Sequence, residues 1–420
     1  MPSRRFSARI QARDADSLPA EPTLQGGENE VDETMSRRLL FFLLPLLLLA
    51  GLSVVVTRGG LLSTLARGVP PVEALTVERT RLTPGHITLT VVNGGPDPVT
   101  VAQVMVDEAF WRFTMSPGRT VPRLGRATID LPYPWVVGEP HQVKLVSANG
   151  ITFDHEIPVA METPSADAGS LLAFTLVGVY VGVLPVAIGL LWLPFLRQLE
   201  RRWIHFALAL TAGLLIFLVV DALHEALETA DRVAGAFQGT GLVALAVLGT
   251  WLALQAVGGA GRGKREEGGE ERLRLAFLIA LGIGLHNLGE GLAIGAAYAQ
   301  GAVTLGAFLI VGFMLHNTTE GLGIVAPIAQ DRPRLGTLAL AGLLAGGPTI
   351  VGAWLGGLAY SAWLGALCLG VGAGAILQVL GVLHRVVARE TQGTLWSPLN
   401  ALGVLAGLVV MYGTGLLVAR

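Results

Sequence analysis

The sequence has a single cysteine, Cys368, in 420 residues, which excludes a disulfide framework and a cysteine-based metal site. Charge is scarce as well. Asp, Glu, Lys and Arg make up 14% of the chain, against about 25% in a typical soluble protein. With a net charge of −2 and no long basic run, nothing points to nucleic acid as a partner. No His-Glu-x-x-His string occurs, so the one-helix signature of a zincin-type metalloprotease is missing. What the chain has instead is apolar length and glycine. Hydrophobic residues make up 52% of it, and 55 glycines are about 13% against a usual ~7%. This is the composition of a polytopic membrane protein, in which glycine lets helices approach closely in lipid.

A helix needs ~20 apolar residues to cross a ~30 Å hydrocarbon core. Nine runs read as spans: 39–56, 171–194, 204–228, 240–258, 274–298, 302–328, 335–358, 361–384 and 398–418. Six of the eight tryptophans (Trp192, Trp203, Trp251, Trp354, Trp363 and Trp396) fall near the ends of these runs, as an interfacial belt does. Lys and Arg set the orientation. Arg4, Arg5, Arg9, Arg13, Arg37 and Arg38 precede the first run, and alternate connections carry Arg197, Arg201 and Arg202; Arg262, Lys264, Arg265, Arg272 and Arg274; Arg332 and Arg334; Arg385 and Arg389. The opposite connections, 229–239, 299–302 and 358–361, hold only Arg232. The N-terminal segment is therefore expected in the cytoplasm, and the C-terminus and the region after the first run outside, in a plasma (inner) membrane.

Four domains follow. Residues 1–36 are polar, with Gly and Pro, and are expected to be a disordered cytoplasmic tail. Residues 37–58 fit a membrane anchor or a signal peptide; the length of the run and the lack of a small-x-small cleavage site favour the anchor. In 70–162, "HITLTVVN" and "VTVAQVMV" alternate apolar and polar residues around the turn "GGPDP". Further short strands split by Pro and Gly predict a small β-sandwich. Its His86, His141 and His155 lack the spacing of a ligand pair, so it reads as an accessory or partner-binding module rather than a metal store. Residues 168–420 hold the other eight spans.

Charge appears inside two of these spans. "LHNLGEGLAIG" (285–295) and "LHNTTEGLGIV" (315–325) repeat His-Asn-x-x-Glu-Gly on antiparallel neighbours. At 1.5 Å per residue, His286 lies roughly 18 Å and His316 roughly 21 Å from the start of its run, so both are near the bilayer midplane. His286 and Glu290, and His316 and Glu320, share a helix face at i, i+4; Asn287 and Asn317 stand about 100° round. An ionisable group at the bilayer centre costs at least ~2.5–3.5 kcal/mol, so four at one depth need a common purpose. Imidazole with carboxylate is the ligand set of Zn²⁺, Fe²⁺ and similar ions. The structural alternative is two buried His–Glu pairs that pin helices together. Upstream, "VVDALHEALETAD" (219–231) places Asp221 with Glu225, and His224 with Glu228, on shared faces at a span end. The patch suits an ion entrance, with Asp221 or His224 as further ligands. Gln378 reads as interhelical glue, and Gly342/Gly346, Gly291/Gly295 and Gly370/Gly374 as close-packing faces.

The paired motifs resemble those of the ZIP (Zrt/Irt-like) divalent-metal transporters, whose fourth and fifth spans carry His-Asn-x-Pro-Glu-Gly and its relatives. The resemblance covers about 170–420. It implies an all-α eight-span bundle of two inverted three-helix units around a central helix pair, with His286, Asn287, Glu290, His316, Asn317 and Glu320 as transport-site ligands. It implies no resident cofactor and no enzyme activity; the ion, zinc first and then iron or manganese, is cargo taken up toward the cytoplasm. The other partners expected are the bilayer and, in a homodimer, a second copy of the chain. This chain departs from the family pattern. Gly289 and Thr319 replace the motif prolines, which loosens the helices less. The loop "GRGKREEGGEERLR" has no His to sample metal. Gly347 precedes Pro348 where relatives have a Glu for a second metal, so one ion per protomer is expected. The alternative function is an intramembrane metal-dependent hydrolase with Glu290 or Glu320 as general base.

Overall fold

A computed structural model describes residues 27–58, 72–259, 268–390 and 397–418. Most of the 1–36 tail and part of the charged loop that includes Arg262, Lys264 and Arg265 lie outside the described residues. Helix α1 (Gly27–Arg58) begins inside the stretch expected to lack structure. No proline falls between 23 and 44, so nothing interrupts the helix upstream of its apolar part. That part, Phe41–Val56, is shorter than any of the eight spans below.

Residues 72–420 form one compact unit. It begins with nine strands: β1 (Leu75–Thr83), β2 (His86–Asn93), β3 (Val99–Val106), β4 (Ala109–Trp111), β5 (Thr114–Ser116), β6 (Thr120–Val121), β7 (Arg126–Pro132), β8 (His141–Ser147) and β9 (Thr152–Ile157). One antiparallel sheet runs β1-β2-β7-β5 and the other β4-β3-β8-β9, with β6 beside β3. The alternation seen in the sequence is the reason. Ile87, Leu89 and Val91 of β2 face Val101, Val104, Val143 and Leu145 of the second sheet in a single core. The three domain histidines are engaged locally: His86 with Asp130 (3.1 Å), His141 with Asp107 (2.8 Å) and His155 with Thr80 (2.7 Å). Burial pushes the His155 imidazole below its ordinary pKa.

Among the described residues, eight helices are long and apolar enough to cross a membrane: α2 (Ala168–Leu196), α3 (Arg201–Asp231), α4 (Gly235–Gly259), α5 (Gly269–Ala299), α6 (Val303–Ile328), α7 (Leu335–Ala359), α8 (Ala362–Ala388) and α9 (Pro398–Leu416). The chain is thus a multi-pass membrane protein with a β-sheet domain ahead of its bundle. Leu245, Leu248 and Leu252 on α4 are 75%, 58% and 58% exposed, a stripe that only lipid would cover favourably.

The packing has a pattern. Helix α2 lies on α6, and α7 on α5; α3 lies on α9, and α8 on α4; α3 meets α8, and α5 meets α6. Exchanging α2 with α7, α3 with α8, α4 with α9 and α5 with α6 returns the same pairs. Each exchange relates helices an odd number of spans apart in the chain.

The tightest pair is α5 with α7. A Cβ on Gly291 would lie 2.1 Å from the Thr349 carbonyl oxygen, and one on Gly295 2.4 Å from that of Ala353. Gly352 and Gly356 press in the same way on the Leu288 and Leu292 carbonyls. Gln378 Nε2 donates to Gln255 Oε1 (3.4 Å) and so joins α8 to α4.

Candidate metal site

Helices α5 and α6 bring the two motifs together. His286, Asn287, Glu290, His316, Asn317 and Glu320 are all buried, at 0–7% exposure. Glu290 is the hub. His316 Nε2 donates to its Oε1, and His286 Nε2 lies 3.1 Å from the same oxygen. Its Oε2 accepts from Asn317 Nδ2 at 2.9 Å. The ligand atoms of His286, Glu290 and His316 all lie within 4.8 Å of one another, the one such group among the described residues. Phe313 packs edge-on against the His316 ring, 5.4 Å between centroids.

Each motif asparagine also caps a broken helix. Pro185 has no N–H for the Val181 carbonyl four residues earlier, and the backbone there widens into a π-turn over Val179–Val183. Asn317 Nδ2 donates to that Val181 carbonyl (3.0 Å). On the opposite face, α7 is interrupted at Pro348, and Asn287 Nδ2 donates to the Ala345 carbonyl (3.1 Å). The two contacts are images of each other under the helix exchange above. The helices that carry the motifs stay regular through Gly289 and Thr319. This agrees with the absence of the motif prolines; the proline breaks sit in the partner helices, and Thr319 Oγ1 donates to the His316 carbonyl (2.6 Å). Neither π-turn nor carbonyl partner was readable beforehand; Pro185 inside an apolar run was the available signal.

With both amide nitrogens engaged, the amide oxygens Asn287 Oδ1 and Asn317 Oδ1 have no partner, and neither does either oxygen of Glu320. Glu320 lies within electrostatic reach of His286, His316 and Glu290 and beside the Asn287 amide. None of these four buried acceptor atoms accepts a well-formed hydrogen bond.

The upstream patch divides. Asp221 and Glu225 line, with His286, Gly289, Glu290, Phe313 and Leu369, a cavity of about 20 Å³, room for roughly one water. His224 is not part of it. Its side chain is 73% exposed and pairs with Glu228 at 3.2 Å. The helical phase decides this: the 221/225 face turns to α5, and the 224/228 face turns away. Glu225→Gln should accordingly weaken metal binding at the cluster severalfold, while His224→Ala changes it less than about twofold, since an exposed i, i+4 pair contributes little. Titrations of the purified variants with zinc check both.

The fold and the cluster define a class: a multi-pass membrane protein with a buried His/Glu group able to hold a metal ion. No protein-family model matches this chain, and none of the curated proteins matches it in sequence.

Proposed function

We propose that the protein carries a divalent metal cation across the membrane, as ZIP-family transporters do, through the site centred on Glu290. The observation that supports this most is the set of unpartnered acceptors beside the His286–Glu290–His316 group. A buried carboxylate without a donor or counter-ion is costly. The His286–Glu290–His316 group, with the buried Glu320 carboxylate and the two amide oxygens beside it, is a donor set that a cation would satisfy.

The helix exchange supports the inverted-repeat reading. It relates α2–α4 to α7–α9 around the α5–α6 pair, and it carries Asn317 with Val181 onto Asn287 with Ala345. Proline-broken spans beside a midplane site are the construction of alternating-access transporters. Zinc is the preferred cargo, because two imidazoles with a carboxylate suit a borderline ion better than a hard one. Orientation follows the arginine asymmetry, with the β-domain and C-terminus outside the plasma membrane, α1 as anchor, and flux inward. One ion per protomer is expected. Gly347→Glu is a poor means of adding a second, since a Cβ there would lie 2.5 Å from the Leu343 carbonyl.

His286→Ala and His316→Ala should each weaken zinc binding about tenfold or more and shift preference toward Mn²⁺, because the remaining ligands are oxygens. Competition titrations of the purified variants with Zn²⁺ and Mn²⁺ measure this. The function itself is tested with the wild-type protein in liposomes that contain a metal-sensitive dye, across a panel of divalent ions. Saturable accumulation of zinc is the expected result. Product release from lipid or peptide substrates without accumulation would establish the hydrolase instead.

A further inference from the structure

The β-domain touches every connection at its end of the bundle. From β1, Arg79 Nη2 donates to the Leu358 carbonyl (2.5 Å) at the α7–α8 connection. From β7, the Arg126 guanidinium lies 5.8 Å from the centre of the Phe237 ring in the first turn of α4, and the turn after β2 sets Gly94 against Ala234 in the α3–α4 connection. After β9, Val159 and Met161 pack on Gly301 in the α5–α6 connection, where a Cβ would lie 2.7 Å from the Val159 carbonyl oxygen. The last segment cannot slide freely, because Thr163 N donates to the Leu82 carbonyl and Leu82 N to Thr163 Oγ1, both at 2.9 Å.

These connections join the helices that wall the approach to Glu290. The small cavity is lined by Leu218, Asp221 and Glu225 from α3, by His286 and Glu290 from α5, by Phe313 from α6, and by Leu369 from α8. Each of the four helices ends in a connection that the β-domain holds. A cavity for about one water does not pass a hydrated dication, so these helix ends must part for an ion to enter. The domain is a close-packed sandwich whose Ile87, Leu89, Ile129 and Leu145 are fully buried, and such cores deform little. It cannot follow three connections that move apart.

We propose that the β-domain is a clamp that regulates access to the metal site: its contacts with the three connections hold the approach to Glu290 closed, and opening requires one or more of them to release. The proposal rests on the reading of the cluster as a passage site, but its test does not require transport. Gly94→Cys with Ala234→Cys places two Cβ atoms about 3.2 Å apart, near the spacing of a disulfide, between the domain and the α3–α4 connection. A reporter, Leu369→Cys in a Cys368→Ala background, reads access to the cavity by its labelling rate with a membrane-impermeant maleimide. Oxidation of the pair should slow labelling at least about tenfold and a reductant should restore it, whereas Arg79→Ala should speed labelling severalfold. Hydrogen–deuterium exchange over 218–231 and 286–299, measured without the reporter, should fall and recover in step. Equal labelling and equal exchange in the locked and reduced protein would overturn the clamp and leave the transport reading untouched.

Discussion

Glu290→Ala is expected to abolish metal uptake, by roughly 10²–10³-fold, while the protein still inserts and purifies as a single species. Glu290 Oε1 faces both imidazoles and its Oε2 accepts from Asn317, so the substitution removes the carboxylate that joins the two imidazoles. Truncating one partner of a buried charge pair at a binding site costs about 2–5 kcal/mol of affinity, and each 1.4 kcal/mol is a factor of ten. Glu320→Gln separates function from structure more cleanly. Neither Glu320 oxygen accepts a well-formed hydrogen bond, and Asn287 is the hydrogen-bonding side chain beside it, so a purely structural residue at this position would lose little, and neutralising it would even relieve a buried charge. As a ligand it should lose most of its uptake, as should Glu320→Ala. Dye-reported uptake and zinc titration on the same preparations decide between these outcomes; wild-type rates in both Glu290→Ala and Glu320→Ala would remove the site.

Gly291→Leu is expected to cost the fold itself. The backbones of α5 and α7 meet there with no space for a Cβ, 2.1 Å from the Thr349 carbonyl, and Gly352 and Gly356 return the contact from α7. Packing of this kind drives helix association in lipid, where burial of apolar surface supplies little. A side chain must push the helices apart by about 1 Å or more to reach ordinary contact distance, and the displacement carries Glu290, one residue away, with it. The folded yield from detergent extraction should fall to a small fraction of wild type. Gly249→Ala, on a stretch of α4 with nothing within 4 Å, should leave it unchanged.

The sequence exposed the features that repeat at a fixed period. The eight spans agree with the apolar runs to within a few residues, as with 171–194 against Ala168–Leu196 and 335–358 against Leu335–Ala359. The i, i+4 spacing of His286 with Glu290 placed both on one buried face, and strand alternation anticipated the sandwich core. What it concealed depends on contacts distant in the chain. Whether His224 or Glu225 faces α5 is a matter of helix rotation that a two-sided acidic pattern leaves open. Asn317 reaching the carbonyl freed by Pro185 joins residues more than a hundred positions apart, and no local pattern marks it. The β-domain's hold on the connections is likewise invisible, because Arg79, Gly94 and Val159 look like ordinary strand and turn residues until the bundle stands beneath them.

The claim at the centre of this account is that one metal ion sits between His286, Glu290 and His316. X-ray absorption at the zinc edge, on protein loaded with a single equivalent of zinc, tests it most directly. The account predicts a first shell of nitrogen and oxygen at about 2.0–2.2 Å with scattering from two imidazoles, reduced to one in His316→Ala. An all-oxygen shell, or an imidazole signal that survives in both His286→Ala and His316→Ala, would contradict it.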